Sequence, residues 1–213
     1  MKHTLLVAAC LAGGLFLGGC AHQVPATPNS NAIPSPGAKQ PLSVGVYFSD
    51  TFLGFQHSES KWGDTWNFDN LGQASASQFR EACDKNFTSV VRLDKKPSRT
   101  EAEIKKVDLM ISPEIESYSF DIPFTKFQTY PATITYRIDV YEGDSPSFSK
   151  IVQGVGDTKG SPGFDFSTNP AKSASRAIEE GVNQAINEIR ASERVKQLVN
   201  AKNGEGSPRS REF

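Results

Sequence analysis

The sequence predicts an α+β domain: a mostly antiparallel sheet of about five strands with two main helices packed on one face. Three observations carry that class. Ala132, Ile134, Tyr136, Ile138 and Val140 alternate with Thr133, Thr135, Arg137 and Asp139, the period of two of a strand with one buried face. Two stretches, Leu71 to Phe87 and Ala174 to Ile189, repeat apolar residues at helical spacing. The elements fall in the order strand, helix, strand, short helix, three-strand meander, long helix, and helices laid on one face of a sheet bury such a set most simply.

The domain opens at a strand in which Val44, Val46 and Phe48 alternate with Ser43, Gly45 and Tyr47. Thr51 to Phe68 is rich in aromatic residues, glycine and polar residues, and reads as a long loop or irregular hairpin. Asn70 and Gln73 have the spacing of a capping box, which predicts a helix from Leu71 to about Lys85 with Asn70 as its N-cap. Thr88 to Leu93 reads as a short strand, and Ser98 with Glu101 forms a second capping pattern ahead of a short helix. From Asp108 to Phe120 the apolar phase changes from odd (Leu109, Ile111, Ile115) to even (Tyr118, Phe120, Ile122), which predicts a bulge near Glu116. Thr129 to Tyr141 and Phe148 to Thr158 complete the meander across the turn Glu142 to Pro146. The last helix is capped by Asn169 with Pro170 at its first position, and its stripe is Ala174, Ile178, Val182, Ala185, Ile186 and Ile189. Gly181 sits beside that stripe at a cost of about 1 kcal/mol relative to alanine, which points to a close approach of helix and sheet.

Composition narrows the function. A net charge of −1 lacks the basic excess of a nucleic-acid binder. The three cysteines are Cys10, Cys20 and Cys83. Cys83 lies in an apolar helical pattern and reads as a small buried hydrophobe. The motifs of zinc proteases, thiol oxidoreductases, serine hydrolases and P-loop enzymes do not occur. Gly154, Gly156 and Gly160 resemble a phosphate loop only at a glance: they end a strand and open no helix, so they read as edge-strand glycines and a turn. Glu114, Glu116, Asp121 and Asp139 read as solvated carboxylates on the outer sheet face. No catalytic residue, cofactor or metal ligand is expected. Two aromatic clusters are candidates for partner contact: Phe124 and Phe127 between the two long strands, and Phe164 and Phe166 ahead of the last helix.

The amino terminus carries the strongest signal of compartment. Lys2 precedes an apolar run from Leu5 to Leu17, too short and too glycine-rich for a comfortable membrane span. The run ends in Leu17-Gly18-Gly19-Cys20, which resembles the bacterial lipobox. That resemblance implies a signal peptide over residues 1–19 and acylation of Cys20 as the first mature residue. Ala21, where an aspartate would resemble an inner-membrane retention signal, favours the outer membrane, with the domain facing the periplasm. Residues 20–41, with Pro25, Pro28, Pro34, Pro36 and Pro41, read as a lipidated cysteine and a disordered tether. Such a tether reaches up to about 60 Å. Residues 42–202 form the single domain, and 203–213 a frayed tail.

With Val44 to Phe48, Leu71 to Lys85, Asp108 to Thr158 and Pro170 to Ile189 in that order, the chain resembles small Gram-negative outer-membrane lipoproteins of the LptE/YajG-like type. The aromatic segment Thr51 to Phe68 is an addition to the LptE layout. The resemblance implies a non-enzymatic accessory or binding component of an envelope assembly, transport or secretion complex, held to the membrane by lipid and meeting an envelope protein partner. The alternative is a periplasmic module that binds a glycan or lipid through its aromatic loops.

Overall fold

The computed structural model describes residues 20–29, 32–33, 37–122, 130–157 and 168–205. In chain order the elements are β1 (Ala21–Gln23), β2 (Gln40–Tyr47), α1 (Asp50–Leu53), β3 (His57–Lys61), β4 (Asp64–Phe68), α2 (Leu71–Asn86) and β5 (Phe87–Leu93). They continue as α3 (Arg99–Lys105), β6 (Leu109–Phe120), β7 (Ala132–Tyr141), β8 (Pro146–Gly156), α4 (Thr168–Ala191) and α5 (Glu193–Glu205). The class is α+β, as the sequence predicts. Five strands form one sheet in the order β5-β2-β6-β7-β8, and β1, β4 and β3 form a second, three-stranded sheet.

The main sheet is mixed. β6, β7 and β8 are an antiparallel meander, whereas β2 pairs in parallel with both β5 and β6. The parallel half follows from connectivity: α2 leads into β5 at the sheet edge beside β2, and the α3 segment then carries the chain from β5 to β6 on the other side of β2, crossovers that a hairpin turn does not make. The alternation in β7 is realised as read, with Ala132, Ile134, Tyr136, Ile138 and Val140 all buried. Each fully buried aliphatic side chain there contributes about 1.5–3 kcal/mol relative to exposure. The register of β6 against β7 shifts between Ile115 and Ser117, which places the bulge where the apolar phase changes.

Helices α2 and α4 cover one face. Phe79 of α2 meets Tyr136 edge-on with ring centres 5.3 Å apart, and Ser75 Oγ lies 2.7 Å from the Tyr136 hydroxyl in a buried hydrogen bond. Burial pushes the Tyr136 phenol up, partly offset by that bond. Cys83 is fully buried on the same helix, and burial, with Asp84 adding to it, holds its thiol in the protonated form. On the opposite face Leu93, Met110 and Tyr141 form a small second cluster with Ala102 and Val107 around α3.

The contact of α4 with the sheet explains three glycines. A Cβ on Gly154 would lie 1.9 Å from the Ala177 carbonyl oxygen, one on Gly156 1.9 Å from that of Ser173, and one on Gly181 2.8 Å from the Tyr136 ring. Helix and strand therefore touch backbone to backbone. α4 ends at Ala191, and Ser192 opens α5 by accepting at its hydroxyl from the Val195 amide at 3.3 Å. The helical pattern thus runs to Glu205, past the expected start of the tail.

Three other readings change or narrow. Of the two readings of Thr51 to Phe68 the hairpin holds: the segment folds as α1 and the β3–β4 hairpin, and Phe52, Trp66 and Phe68 are core. Asn70 stands at the N-cap position of α2 but makes no capping bond. Its amide instead clasps the backbone of Ala26, accepting from the N–H at 2.8 Å and donating to the carbonyl at 2.7 Å. That clasp bears on the third change. Residues 21–29 are not a disordered tether, because β1 pairs with β4 and Val24, Ala26 and Ile33 are buried in the main core. The segment straps across the helices: the Thr27 amide donates to Ser175 Oγ at 2.9 Å and the Asn29 amide to Glu179 Oε1 at 2.6 Å, both on α4.

Candidate functional site

Cys20, the residue that the sequence marks for attachment, lies at one end of the three-stranded sheet. β3 and β4 pair from His57↔Phe68 to Lys61↔Asp64, which leaves Trp62 and Gly63 as a two-residue turn. Both have positive φ, 58° and 86°. A hairpin turn with left-handed geometry at both positions matches the right-handed twist of the strands, and Asn-Gly is its usual sequence. Gly63 takes that geometry at no steric cost. A tryptophan does not, and holding one there costs about 1–3 kcal/mol. The indole is nonetheless 61% exposed, and its Nε1 donates to the Ile122 carbonyl at 3.0 Å.

Cys20 lies beside this turn. Its carbonyl accepts from the Thr65 amide at 2.9 Å, and its own N–H donates to Asp64 Oδ1 at 3.1 Å. From there β1 runs parallel to β4 in the register Ala21↔Thr65, His22↔Trp66, Gln23↔Asn67. Asp64 also holds the next residue, with His22 Nε2 3.1 Å from Oδ2, while the His22 ring stacks on Trp66 at 4.2 Å. Cys20 itself is exposed, with a free thiol. Lys61, on the other strand of the turn, lies 3.5 Å from Glu59 and 3.5 Å from Asp121. Pairs this accessible contribute about 0–1 kcal/mol each, so they shape the rim more than they stabilise it.

Beneath the turn the small sheet rests on the far end of β6. Trp66 meets Phe120 at 5.5 Å, Phe68 meets Tyr118 at 4.9 Å, and Glu59 Oε1 accepts from the Phe120 amide at 2.9 Å. Burial, and then the charge of Glu59, push the Tyr118 phenol upward. The aromatic layer fixes the hairpin as a rigid projection.

The remaining candidates do not converge on a reaction centre. Glu114 accepts from Ser49 Oγ, Asp139 accepts from Ser149 Oγ at 2.5 Å and lies 3.4 Å from Arg137, and Glu116 is exposed. A depression of about 660 Å³ beside α3 is lined by Arg99, Glu103, Lys106, Asp108 and Glu142, and both Asp108 and Glu142 are engaged by cations from α5. There Lys202 lies 2.7 Å from Asp108, and the Arg194 guanidinium forks onto Glu142. Among the described residues no three His, Cys, Asp or Glu side chains group as metal ligands, and no helix is long and apolar enough to cross a membrane. Phe124, Phe127, Phe164 and Phe166 lie outside the described residues. Sequence reading missed Asp64 as the partner of Cys20. The signal for it was Trp62-Gly63 between two runs of five residues, with Asp64, Trp66 and Phe68 in alternation.

No family model matches the chain, and no curated protein matches it. Among solved structures it is similar to a Xanthomonas campestris protein of the DUF330 family, with a TM-score of 0.42 and 13% identity over 88% of this chain and 99% of that one. It is also similar to the hypothetical protein CT253 of Chlamydia trachomatis, with a TM-score of 0.41 and 14% identity over 77% and 99%. A candidate lipoprotein of Caulobacter crescentus follows, with a TM-score of 0.38 and 6% identity over 61% and 83%. At TM-scores this low none of these likenesses bears on function, which rests on the residues above.

Proposed function

We propose that this chain is a lipid-anchored protein of the bacterial outer membrane, facing the periplasm and working by binding an envelope partner. The observation that carries the reading is Leu17-Gly18-Gly19-Cys20 together with the place of that cysteine, exposed at the outer end of β1 with its thiol free. An acylated cysteine needs an accessible sulfur and a backbone ordered or free enough to present it. Here the backbone of Cys20 is held and the side chain is open. Two or three acyl chains, at about 0.8 kcal/mol for each buried CH2, make the attachment stable. The order of elements read from the sequence behind the cysteine resembles that of LptE/YajG-like lipoproteins apart from the added segment Thr51 to Phe68, and Phe124, Phe127, Phe164 and Phe166 are the contact residues this reading proposes.

Metabolic labelling with radioactive palmitate tests the anchor. Wild type takes up label and sediments with outer membranes, and Cys20→Ser does neither; a variant that still labels and sediments refutes the reading. Binding is tested on the labelled protein in detergent. A protein co-purifies with wild type and is lost when Phe124 and Phe127 are both replaced by Ser, with the melting temperature unchanged. Retention of every partner by that double variant removes this pair from the contact.

A further inference from the structure

The geometry points to the Trp62 turn as a lipid-docking surface that seats the domain directly on the membrane; the inference rests on acylation of Cys20 as proposed above. The argument is one of reach. A disordered tether would let the domain wander tens of ångströms from the bilayer. Here no free chain separates the acylation site from the fold. The Cys20 carbonyl is bonded to Thr65 and its N–H to Asp64, so the sulfur that carries the lipid hangs two residues from Trp62 on the adjoining strand. Acyl chains on that sulfur enter the bilayer, and the hairpin tip must then lie at the depth of the headgroups.

The side chain at that tip suits the depth. Tryptophan concentrates at membrane interfaces because its ring is apolar and its N–H is polar. Trp62 is 61% exposed, and its N–H is already satisfied by Ile122, so the ring surface can enter the headgroup layer without carrying an unpaired donor. Its rim is polar, with Lys61, Asp64 and Asp121 around the turn. Backbone strain is a second, independent pointer. Asparagine or glycine would relieve the left-handed φ of 58°, and the fold holds a tryptophan there instead. The occupant is a phospholipid surface.

The test uses the lipidated full-length protein reconstituted in vesicles of phosphatidylethanolamine and phosphatidylglycerol, some carrying lipids brominated near the headgroup. The protein has two tryptophans, and Trp66 is buried, so Trp62 is the accessible reporter. Docking predicts that brominated lipid quenches wild-type emission and that quenching by acrylamide falls severalfold relative to soluble Cys20→Ser protein. Trp62→Asn, which relieves the turn, should keep or raise the melting temperature and leaves buried Trp66 as the emitter; bromolipid quenching as strong in this variant as in wild type would assign the signal to Trp66 and overturn the inference. Acrylamide quenching that is equal in vesicles and in solution overturns the docking inference. A wild type that takes up no palmitate overturns the anchor reading instead, so the two failures are distinct.

Discussion

The two sheets are built by opposite means. The meander β6-β7-β8 under α4 is local and apolar: its strands are consecutive, its inner face is aliphatic and aromatic, and its glycines let helix and strand backbones touch. The small sheet is assembled from distant chain, with β1 pairing to residues 44 positions later, and side-chain polar groups hold it in place. Asp64 fixes Cys20 and His22, Asn70 clasps Ala26, and Glu59 takes the Phe120 amide. Backbone packing sets the geometry of the first region; in the second an aromatic layer seats the hairpin, and a few hydrogen bonds place the strap along it. The first should therefore fail globally when disturbed, and the second locally.

The sharpest way to break the comparison is Gly154→Val. Overpacking a core costs about 1–3 kcal/mol when neighbouring side chains can yield. Here the new Cβ meets the Ala177 carbonyl at 1.9 Å and the Gly181 nitrogen at 2.4 Å, and backbone yields far less. The expected outcome is loss of the cooperative thermal transition by circular dichroism. A variant that melts within a few degrees of wild type would mean that α4 can lift from the sheet at little cost.

Asn70→Ala is the gentler counterpart. It removes both bonds to Ala26 and leaves that buried peptide unsatisfied, at a cost of about 1–3 kcal/mol. If the strap is a separate opening unit, hydrogen exchange of residues 21–29 should speed up by about tenfold or more while β7 amides stay protected. Equal acceleration in β7 would show that the two regions open together and would erase the distinction.

The same contrast governs what the sequence reveals. The strand Ala132–Tyr141 and the stripe of α4 could be read because one apolar face recurs at a fixed period, and because their partners are near in sequence. Even the bulge near Glu116 was legible as a change of phase. β3, by contrast, reads His-Ser-Glu-Ser-Lys and offers no apolar alternation, since the strand supplies hydrogen bonds and little core. β1 is three residues long and its pairing is parallel, so neither period nor turn chemistry announces it. Asn70 carries the spacing of a helix cap, yet a distant backbone competes for its amide and wins two bonds. At the candidate site the sequence singles out Cys20 through a motif that resembles a lipobox. The bond of Asp64 to Cys20 was not legible, because it exists only once residues 20–23 lie along β4, and the left-handed Trp62 was not, because tryptophan is not a residue that announces such a turn.

The strap from Cys20 to Asn29 also sets an order in time. Its pairing strand follows 44 residues later, and its bonds to Ser175 and Glu179 wait for chain about 150 residues downstream. Closing so long a separation is slow compared with forming consecutive hairpins. The residues of this strap are thus among the last to be fixed, after α4 has docked on the meander. Under the anchor proposed above, the end that carries the lipid swings on an open arm of chain until that moment, and the final folding step draws the finished domain in toward the membrane.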